Sequence, residues 1–402
     1  MDKVGREYGT PCYVYSAARI VENYHSFDTA FSPVSHLIAY AVKANSNGAI
    51  IRLLAREGSG ADVVSGGELS RALEAGVPPE RIVFAGVGKR EGELRFALEA
   101  GILMINMESY EELESLARIA SQRRTKARFA VRVNPGVNVK THPYLATGRR
   151  ENKFGVPLDE VLDLYRWGMK RSSLEAAGIH AHLGSQIVDL PPYRKAIERL
   201  LSTIVQPLEA EGVIIRYFDI GGGLGIPCAG ESVPSPLDLA EAVLPKLAVW
   251  EGTLILEPGR TIVGDAGVLL TKVLYRKPAS YRPFLVVDAG MNDFVRPALY
   301  HARHRVQPVI RKDGTETVWE VVGPVCESAD ILSSTCSLPS TESGDTLAIM
   351  DAGAYGFSMA STYNSRPRPA EVLVKGDEVF LIREREDIGD LTARERIPHF
   401  LQ

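Results

Sequence analysis

The sequence contains few cysteines and places none of them as a pair. The four in 402 residues are Cys12, Cys228, Cys326 and Cys336, and no two of them stand at a Cys-x-x-Cys spacing. This distribution argues against a disulfide framework and against a zinc site. The sequence therefore predicts a protein of a reducing, cytoplasmic compartment that holds no metal.

Long apolar runs and an excess of positive charge are also missing. No run reaches the roughly 20 apolar residues that cross a bilayer, and residues 1–7 lack the apolar core of a secretion signal. The formal net charge is −4, which gives no electrostatic reason to expect nucleic acid or an acidic membrane as a partner. With 45% hydrophobic and 24% charged residues, the composition is that of an ordinary globular protein.

A regular alternation of short apolar runs and longer helical segments fills residues 35–260. The runs are rich in β-branched residues and lie near 36–42, 60–64, 81–85, 102–106, 127–133, 178–183, 214–220 and 252–257. Strands that alternate with helices pair in parallel through right-handed crossovers. Eight such units predict a (β/α)8 barrel, and a doubly wound open sheet is the competing fold.

The rest of the chain has a different pattern of apolar and turn residues. Strand-like segments separated by turn residues lie at 268–275, 283–288, 306–310, 317–322, 345–349 and 378–383, and helical periodicity is scarce. A further strand at 11–15 precedes the first helical segment. We therefore predict a barrel over residues 26–265 and a β-sandwich or barrel-like all-β domain built from residues 1–25 and 266–402.

A lysine stands at the end of the first apolar run, where Lys43 follows residues 38–42. Lysine is rarely buried without a partner, because dehydration of its ammonium group is costly. A desolvated amine is more easily deprotonated, and it can then attack a carbonyl to form a Schiff base. The sequence thus makes Lys43 a candidate nucleophile.

Other unusual residues also stand at or just after predicted strands. In a barrel this is the carboxyl-terminal face, where catalytic groups lie. The set comprises Asp62, Asn106, Asn134, His182, Ser185, the glycine triplet 221–223 and residues 257–260.

The residues after the last two strands each have two interpretations. The glycine triplet is either a tight turn or a cradle in which backbone N–H groups reach a phosphate. Glu257 either forms a structural ion pair with Arg260 or binds the protonated ring nitrogen of a cofactor.

His182 and Cys326 are equally ambiguous when taken alone. His182 is a metal ligand together with His180, a core histidine, or a flat imidazole stacked on a flat cofactor. Cys326 is a small core residue or, beside Glu327, a proton donor. A Schiff-base lysine, a phosphate cradle, an acidic partner for a pyridine nitrogen and a stacking residue together describe a site for pyridoxal 5′-phosphate (PLP).

Specific motifs then identify a family. They are YAVKAN (40–45), HLGSQ (182–186), GGGLG (221–225), EPGR (257–260), AGMND (289–293), RPALY (296–300), GPVCES (323–328), AYGFSM (354–359) and YNSRPR (363–368). On these motifs the chain, from about residue 8 to residue 374, resembles the fold-type III PLP-dependent decarboxylases. That family includes diaminopimelate, ornithine and arginine decarboxylases, and alanine racemase shares its fold type.

The resemblance implies a role for each matching residue. Lys43 would be the Schiff-base lysine, His182 would stack on the cofactor ring, Glu257 would pair with its nitrogen, and Cys326 would be the general acid. The other implied cofactor contacts are Asp62, Ser185, Gly222, Gly223, Pro258, Gly259, Arg260 and Tyr355. The implied substrate contacts are Arg260, Arg296, Tyr300, Glu327 and Tyr355. In this family the Cys326 and Tyr355 segments reach the site from a partner subunit, which implies a homodimer.

Within the family, the chain is similar to the diaminopimelate branch. Arg260 and Arg296 offer planar guanidinium groups that suit the carboxylate that is retained. Relatives that form diamines usually carry aspartate at the position of Glu327. Residues 141–148 and 153–155 are also typical of that branch. The implied reaction converts meso-diaminopimelate to L-lysine and CO2, the last step of lysine biosynthesis. A related decarboxylase of another basic amino acid and a PLP-binding regulatory homologue are the alternatives. A racemase is a further one, against which Glu257 counts.

Overall fold

The computed structural model describes residues 1–139, 153–227, 232–279 and 282–402. Two compact units are present. One is formed by Met1–Arg19 and Val263–Gln402, and the other by Ile20–Pro227 and residues 232–262. The domain limits predicted at 25/26 and 265/266, and the sandwich or barrel-like description of the second domain, stay predictions.

The strands and helices have the following bounds. The strands are β1 (Cys12–Ser16), β2 (His36–Ala41), β3 (Gly60–Val63), β4 (Ile82–Phe84), β5 (Met104–Met107), β6 (Ala127–Asn134), β7 (Val156–Pro157), β8 (Leu174–His180), β9 (Tyr217–Asp219), β10 (Thr253–Leu256), β11 (Gly267–Lys277), β12 (Phe284–Val287), β13 (Val306–Pro308), β14 (Thr317–Val322), β15 (Ile331–Leu338), β16 (Thr346–Ile349), β17 (Ala370–Lys375) and β18 (Glu378–Arg383). The α-helices are α1 (Asp2–Tyr8), α2 (Ala17–Phe31), α3 (Gly48–Arg56), α4 (Gly66–Glu74), α5 (Glu91–Ala100), α6 (Tyr110–Gln122), α7 (Val161–Met169), α8 (Pro191–Leu200), α9 (Gln206–Ala210), α10 (Pro236–Leu247), α11 (Arg260–Val263), α12 (Arg296–Tyr300) and α13 (Ile388–Thr392).

Eight parallel strands close into a barrel. Their order is β5-β4-β3-β2-β10-β9-β8-β6, and β5 also pairs with β6, which completes the ring. The predicted (β/α)8 barrel is therefore confirmed, and the open-sheet alternative is wrong because this sheet has no free edge between β5 and β6. Nearly continuous apolar strands such as β2, HLIAYA, suit a sheet that is covered on both faces.

Polar caps start the helices that follow the strands. The side chain of Asn47 accepts the N–H of Ala49 at the start of α3, and Ser65 and Ser109 cap α4 and α6 in the same way. Each cap satisfies amides that the first helical turn leaves without partners. These caps stand two to six residues after the end of a strand, so the strand–loop–helix turns are short and hold the carboxyl ends of the strands in place.

The barrel interior is divided into an apolar and a polar part. A buried cluster that includes Leu37, Val83, Met104, Ala177 and Ile255 packs its apolar side chains together. Residues nearer the carboxyl ends of the strands are instead polar or charged although they are equally buried. Such layering fixes the apolar part as a packed core and leaves the carboxyl-terminal end for chemistry.

The second unit contains one mixed sheet. Its strand order is β15-β14-β12-β11-β1-β17-β18, and β16 pairs with β11 and β13. Strand β1 lies between β11, to which it is antiparallel, and β17, to which it is parallel. The prediction that the N-terminal strand joins the C-terminal β domain is thus confirmed.

Two strands of this sheet were missing from the predicted set. They are β15 (ILSSTCSL) and β17 (AEVLVK). The serine- and threonine-rich β15 lies at one end of the sheet order and is partly exposed, so it lacks the apolar alternation that marks a half-buried strand. Among the described helices, none combines the length and the apolar character required to cross a bilayer.

Candidate active site

The carboxyl ends of the barrel strands bring charged and polar side chains together in the interior. Six of them are buried: Asp62, Asn106, Arg132, His180, Asp219 and Glu257. Burial of so many polar groups is costly unless they pair with one another or bind a ligand. This end of the barrel is therefore the candidate site, as the positions of the residues along the sequence predicted.

Lys43 lies in a short 3-10 turn, Val42–Ala44, directly after β2. Its Nζ forms an ion pair with the carboxylate of Asp62, which is completely buried on β3. Burial and the nearby charge of Glu257 raise the pKa of Asp62, and the positive charge of Lys43 opposes that rise. The amine is thus held at the carboxyl-terminal end of the barrel by an acid that is itself poorly solvated.

Glu257 follows β10 and carries the complementary negative charge. Its backbone N–H donates to Gly221 O at 2.9 Å, and its Oε2 lies 3.5 Å from His180 Nε2. Burial alone would raise its pKa, but the contact with His180 and the attraction to Lys43 outweigh burial and lower the pKa below the usual range. The structure therefore holds an ionised carboxylate inside the barrel.

His182 presents a neutral imidazole. Its Nδ1 accepts the backbone N–H of Gly222 at 3.1 Å, so this nitrogen carries no proton. Burial, followed by repulsion from Arg132 and Lys43, lowers the pKa of His182 well below its usual value. A neutral, oriented ring suits contact with another flat ring better than it suits proton transfer.

The glycine triplet is required by close contacts within the protein itself. A Cβ on Gly221 would come within 2.6 Å of His182 Nδ1, one on Gly222 within 2.1 Å of Glu257 O, and one on Gly223 within 2.3 Å of Gly184 O. The three glycines therefore let the loops after β8, β9 and β10 pack together. Binding of a phosphate by Gly222 and Gly223 stays a prediction.

The EPGR segment is attached to the lysine turn. Ala41 N–H donates to Pro258 O at 3.1 Å, and a Cβ on Gly259 would lie 2.9 Å from the Cβ of Ala44. Arg260 is buried, and its Nη2 donates to Ser185 Oγ at 3.0 Å. The structure thus joins the predicted lysine, serine and arginine segments, whereas the proposed ion pair between Glu257 and Arg260 is not among the contacts found for Glu257.

Several residues with predicted roles lie in the second unit. Arg296 is buried at the start of α12, with its guanidinium carbon 5.7 Å from the ring centroid of Tyr300. Tyr355 is half-buried and has a φ of 55°, a left-handed conformation that is uncommon outside glycine and concentrates at functional positions. That these residues meet the barrel residues in one site stays a prediction.

Cys326 and Glu327 are exposed on a tightly anchored turn. The buried carboxylate of Asp330 accepts the N–H groups of Val325 at 2.7 Å and Met291 at 2.6 Å. The N–H of Cys326 itself donates to Asn364 Oδ1 at 2.8 Å. A thiol that is held rigidly at the surface is not the small core residue that was one interpretation of Cys326.

Some residues of the candidate site carry no predicted role. Asp219 and Arg132 are buried there. The sequence suggests only one role for His180, that of a metal ligand together with His182. Among the described residues, His180, Asp219 and Glu257 are also the one group whose spacing could suit a metal ion. An acidic residue that ends an apolar strand, as in Tyr217–Asp219, was the available signal. The residues 141–148 that supported the diaminopimelate branch lie outside the described residues.

The ion pair between Arg132 and Glu108 supports this end of the barrel. Glu108 Oε1 accepts from Arg132 Nη1 at 2.9 Å and from Gly86 N–H at 3.1 Å, and its Oε2 accepts from Gly155 N–H at 2.9 Å. Both charged side chains are almost completely buried. One carboxylate therefore holds a cation and two backbone amides in place.

We expect Glu108→Gln to destabilise the protein by about 3–5 kcal/mol, because it leaves the buried charge of Arg132 without its counter-ion. Urea unfolding followed by circular dichroism measures the shift. Glu91→Gln, which breaks the exposed pair with Arg118, is the matched control and should cost about 1 kcal/mol or less. Equal shifts for the two variants would contradict the structural role of Glu108.

Comparison with known proteins identifies the family of this chain. The family described as "Pyridoxal-dependent decarboxylase, pyridoxal binding domain" matches residues 17–264. A diaminopimelate decarboxylase of Aquifex aeolicus is 48% identical over 388 residues, which are 96% of this chain and 92% of the relative. A crystal structure of diaminopimelate decarboxylase from Helicobacter pylori complexed with L-lysine has a TM-score of 0.94 at 44% identity, with 98% of each chain covered.

A more distant structure gives the same result. Diaminopimelate decarboxylase from M. jannaschii, in co-complex with L-lysine, has a TM-score of 0.95 at 39% identity and covers 100% of this chain and 95% of its own. The family match spans more than half of the chain, and the relatives align over nearly all of it. The chain belongs to the diaminopimelate decarboxylase family of pyridoxal-dependent decarboxylases.

Proposed function

We propose that this chain catalyses the PLP-dependent decarboxylation of meso-diaminopimelate to L-lysine and CO2, the last step of lysine biosynthesis. The observation that carries the proposal is that a lysine amine and an ionised, buried carboxylate lie at the same end of the barrel. Lys43 supplies the amine, and Glu257 supplies the charge that its neighbours keep negative. Relatives that are 44–48% identical over nearly the whole chain carry the name of this activity.

The buried residues fit PLP. When bound, the cofactor supplies a protonated pyridine ring that accepts the electron pair left by the departing CO2. Glu257 would hold the proton of that ring nitrogen, and the neutral ring of His182 would lie against the pyridine. Lys43 is the attachment point for the aldehyde, with Asp62 orienting its amine. Phosphate contacts are assigned to Ser185, Gly222, Gly223, Pro258, Gly259, Arg260 and Tyr355.

The substrate has two amino acid ends, and only one of them loses its carboxylate. We assign the retained carboxylate to Arg260, Arg296 and Tyr300, because guanidinium groups bind carboxylates through two parallel hydrogen bonds. Glu327 would hold the distal amine, and Tyr355 would contact the substrate as well as the phosphate. The resemblance to the family implies that the D-configured centre is the one that is decarboxylated.

Cys326 is assigned as the general acid that protonates the substrate carbon after CO2 leaves. Its exposed position on the Asp330-anchored turn supports a role in a site that it reaches from a neighbouring subunit. We therefore propose a homodimer in which each site combines the barrel of one chain with the Cys326 and Tyr355 segments of its partner. The free thiols of Cys12, Cys326 and Cys336 are consistent with a cytoplasmic location.

Mixing two inactive variants tests the shared site. Lys43→Ala and Cys326→Ala should each be nearly inactive alone, because every site lacks one essential group. Random exchange of subunits gives heterodimers with one intact site, so we expect about a quarter of the wild-type activity from an equal mixture. A mixture that exchanges subunits, as judged by co-purification of differently tagged chains, and yet stays inactive would refute the shared site.

A substrate panel tests the proposed reaction. Release of CO2 is measured with meso-, LL- and DD-diaminopimelate, ornithine, lysine and arginine. We expect the meso isomer to have the highest kcat/KM and L-lysine to be the product. Best turnover of ornithine or arginine would indicate a decarboxylase of another basic amino acid. Cofactor binding without any CO2 release would indicate a regulatory homologue.

A further inference from the structure

Three ionisable side chains meet inside the barrel, one from the end of each of three neighbouring strands. His180 ends β8, Asp219 ends β9, and Glu257 follows β10. All three are at most 3% exposed, and one nitrogen or oxygen atom from each lies within 4.8 Å of those of the other two. Two carboxyl groups at such a distance cannot both be charged without strong repulsion.

The hydrogen bonds of Asp219 show where a proton is needed. Asp219 Oδ1 accepts the N–H of Gly221 at 2.9 Å. Within the described part of the chain, Asp219 Oδ2 and Glu257 Oε1 are buried oxygen atoms that accept no hydrogen bond from an N–H or O–H group. One oxygen of each carboxyl group lies within 4.8 Å of the other, and, besides burial, a hydrogen bond with Glu257 is among the causes that raise the pKa of Asp219. One proton between them satisfies both oxygens.

Electrostatics assign that proton to Asp219. Burial, and then the charge of Glu257, raise the pKa of Asp219 well above its usual value, whereas the pKa of Glu257 is lowered. The charged groups around the pair are Lys43 and Asp62, with His182 and His180 as the nearby imidazoles. The positive charge of Lys43 lowers the pKa of Glu257, so Glu257 keeps the negative charge and Asp219 takes the proton.

We propose that Asp219 is a neutral carboxylic acid that donates a hydrogen bond to Glu257 and thereby fixes the orientation and the charge of that carboxylate. Asp219 is a positioning residue. It touches neither the cofactor nor the substrate, and it acts through Glu257, which His180 contacts on its other oxygen. The part of this inference that concerns the cofactor rests on the proposed function, but the shared proton does not.

A divalent cation is the competing explanation for the same three side chains. Carboxylate ligands are ionised when they bind a metal, so a metal site needs Asp219 as an anion. A shared proton needs Asp219 as a neutral donor. Asparagine separates the two, because its amide can donate to Glu257 and accept from Gly221 but carries no charge.

Infrared spectroscopy tests the proton directly and does not depend on activity. At neutral pH, the difference between wild-type holoenzyme and Asp219→Asn should contain the C=O stretching band of a protonated carboxylic acid, and this band should shift in D2O. Asp238→Asn, which changes a surface helix cap, should give no such band. A carboxylate band in the Asp219→Asn difference would overturn the proposal.

Kinetics test the positioning role. We expect Asp219→Asn to keep kcat within about tenfold of wild type and Asp219→Ala to lose about 100-fold, with KM little changed in both. Equal losses in the two variants would overturn the proposal, and restoration of activity by added Mg²⁺ or Zn²⁺ would favour the metal. If Asp219→Ala does not fold, the infrared result and the activity of Asp219→Asn still distinguish the shared proton from a metal site.

The two proposals fail in different ways. An enzyme that shows the acid band but turns over ornithine best would retain the shared proton and lose the diaminopimelate assignment. An enzyme that decarboxylates meso-diaminopimelate but shows no acid band would retain the function and lose the role of Asp219.

Discussion

Replacement of Lys43 by alanine is expected to lower kcat/KM for meso-diaminopimelate by roughly 10⁴-fold or more, because the chain loses the amine that attaches the cofactor. Asp62 would then keep a buried carboxyl group without its cation. Two measurements check this expectation. Steady-state CO2 release gives the loss of activity, and borohydride reduction followed by peptide mass analysis shows whether a pyridoxyl group is fixed on residue 43.

Two other lysines provide the controls. Lys246→Ala removes an exposed ion pair with Glu198 and should leave both activity and labelling unchanged. Lys89 is as buried as a core residue, but its Nζ pairs with Glu112 and donates to Gly86 O and Asn106 O. Lys89 should therefore remain unlabelled in the wild-type enzyme. Labelling at Lys89, or normal activity of Lys43→Ala, would contradict the assigned nucleophile.

The second large effect is expected from Glu257→Gln. Glutamine keeps the shape of the side chain but removes the negative charge that would hold the proton on the ring nitrogen. We expect kcat to fall by about 10²–10³-fold, with the cofactor still attached to Lys43. Kinetics measure the fall in kcat, and the absorbance of the bound cofactor measures its retention.

The matched control for this variant lies at the opposite end of the barrel. Glu175, near the start of β8, pairs with Arg216 on the surface, so Glu175→Gln removes a charge far from the carboxyl ends of the strands. We expect it to change kcat by less than about twofold, since residues at this end of a barrel serve stability. A fully active Glu257→Gln enzyme would show that the ring nitrogen does not need this carboxylate.

The local pattern of the sequence was sufficient for much of the fold. Each of the eight apolar runs overlaps a barrel strand, and Lys43 and Glu257 lie just after β2 and β10 as their positions predicted. Strand length, β-branched residues and flanking helix caps are local properties, so a single sequence displays them. The serine-rich β15 was not predicted, because its pairing with β14, and not its own sequence pattern, makes it a strand.

Other features depend on contacts between distant parts of the chain. The sequence left the glycine triplet as either a tight turn or a phosphate cradle. The structure adds that a Cβ at each position would collide with a neighbouring loop, as Gly222 against Glu257 O shows. The exposed position of Cys326 likewise follows from the buried carboxylate of Asp330 and its hydrogen bonds to the turn. No spacing in the sequence reveals either contact.

The sequence by itself determined the barrel, the domain type of the C-terminal part, and the chemical nature of the residues at the strand ends. Only the tertiary structure decided which of them lie side by side. His180, Asp219 and Glu257 are about 40 residues apart in the chain, and closure of the barrel places β8, β9 and β10 side by side. The ionisation of each group depends on the charges and the burial around it, and these exist only after the strands have paired.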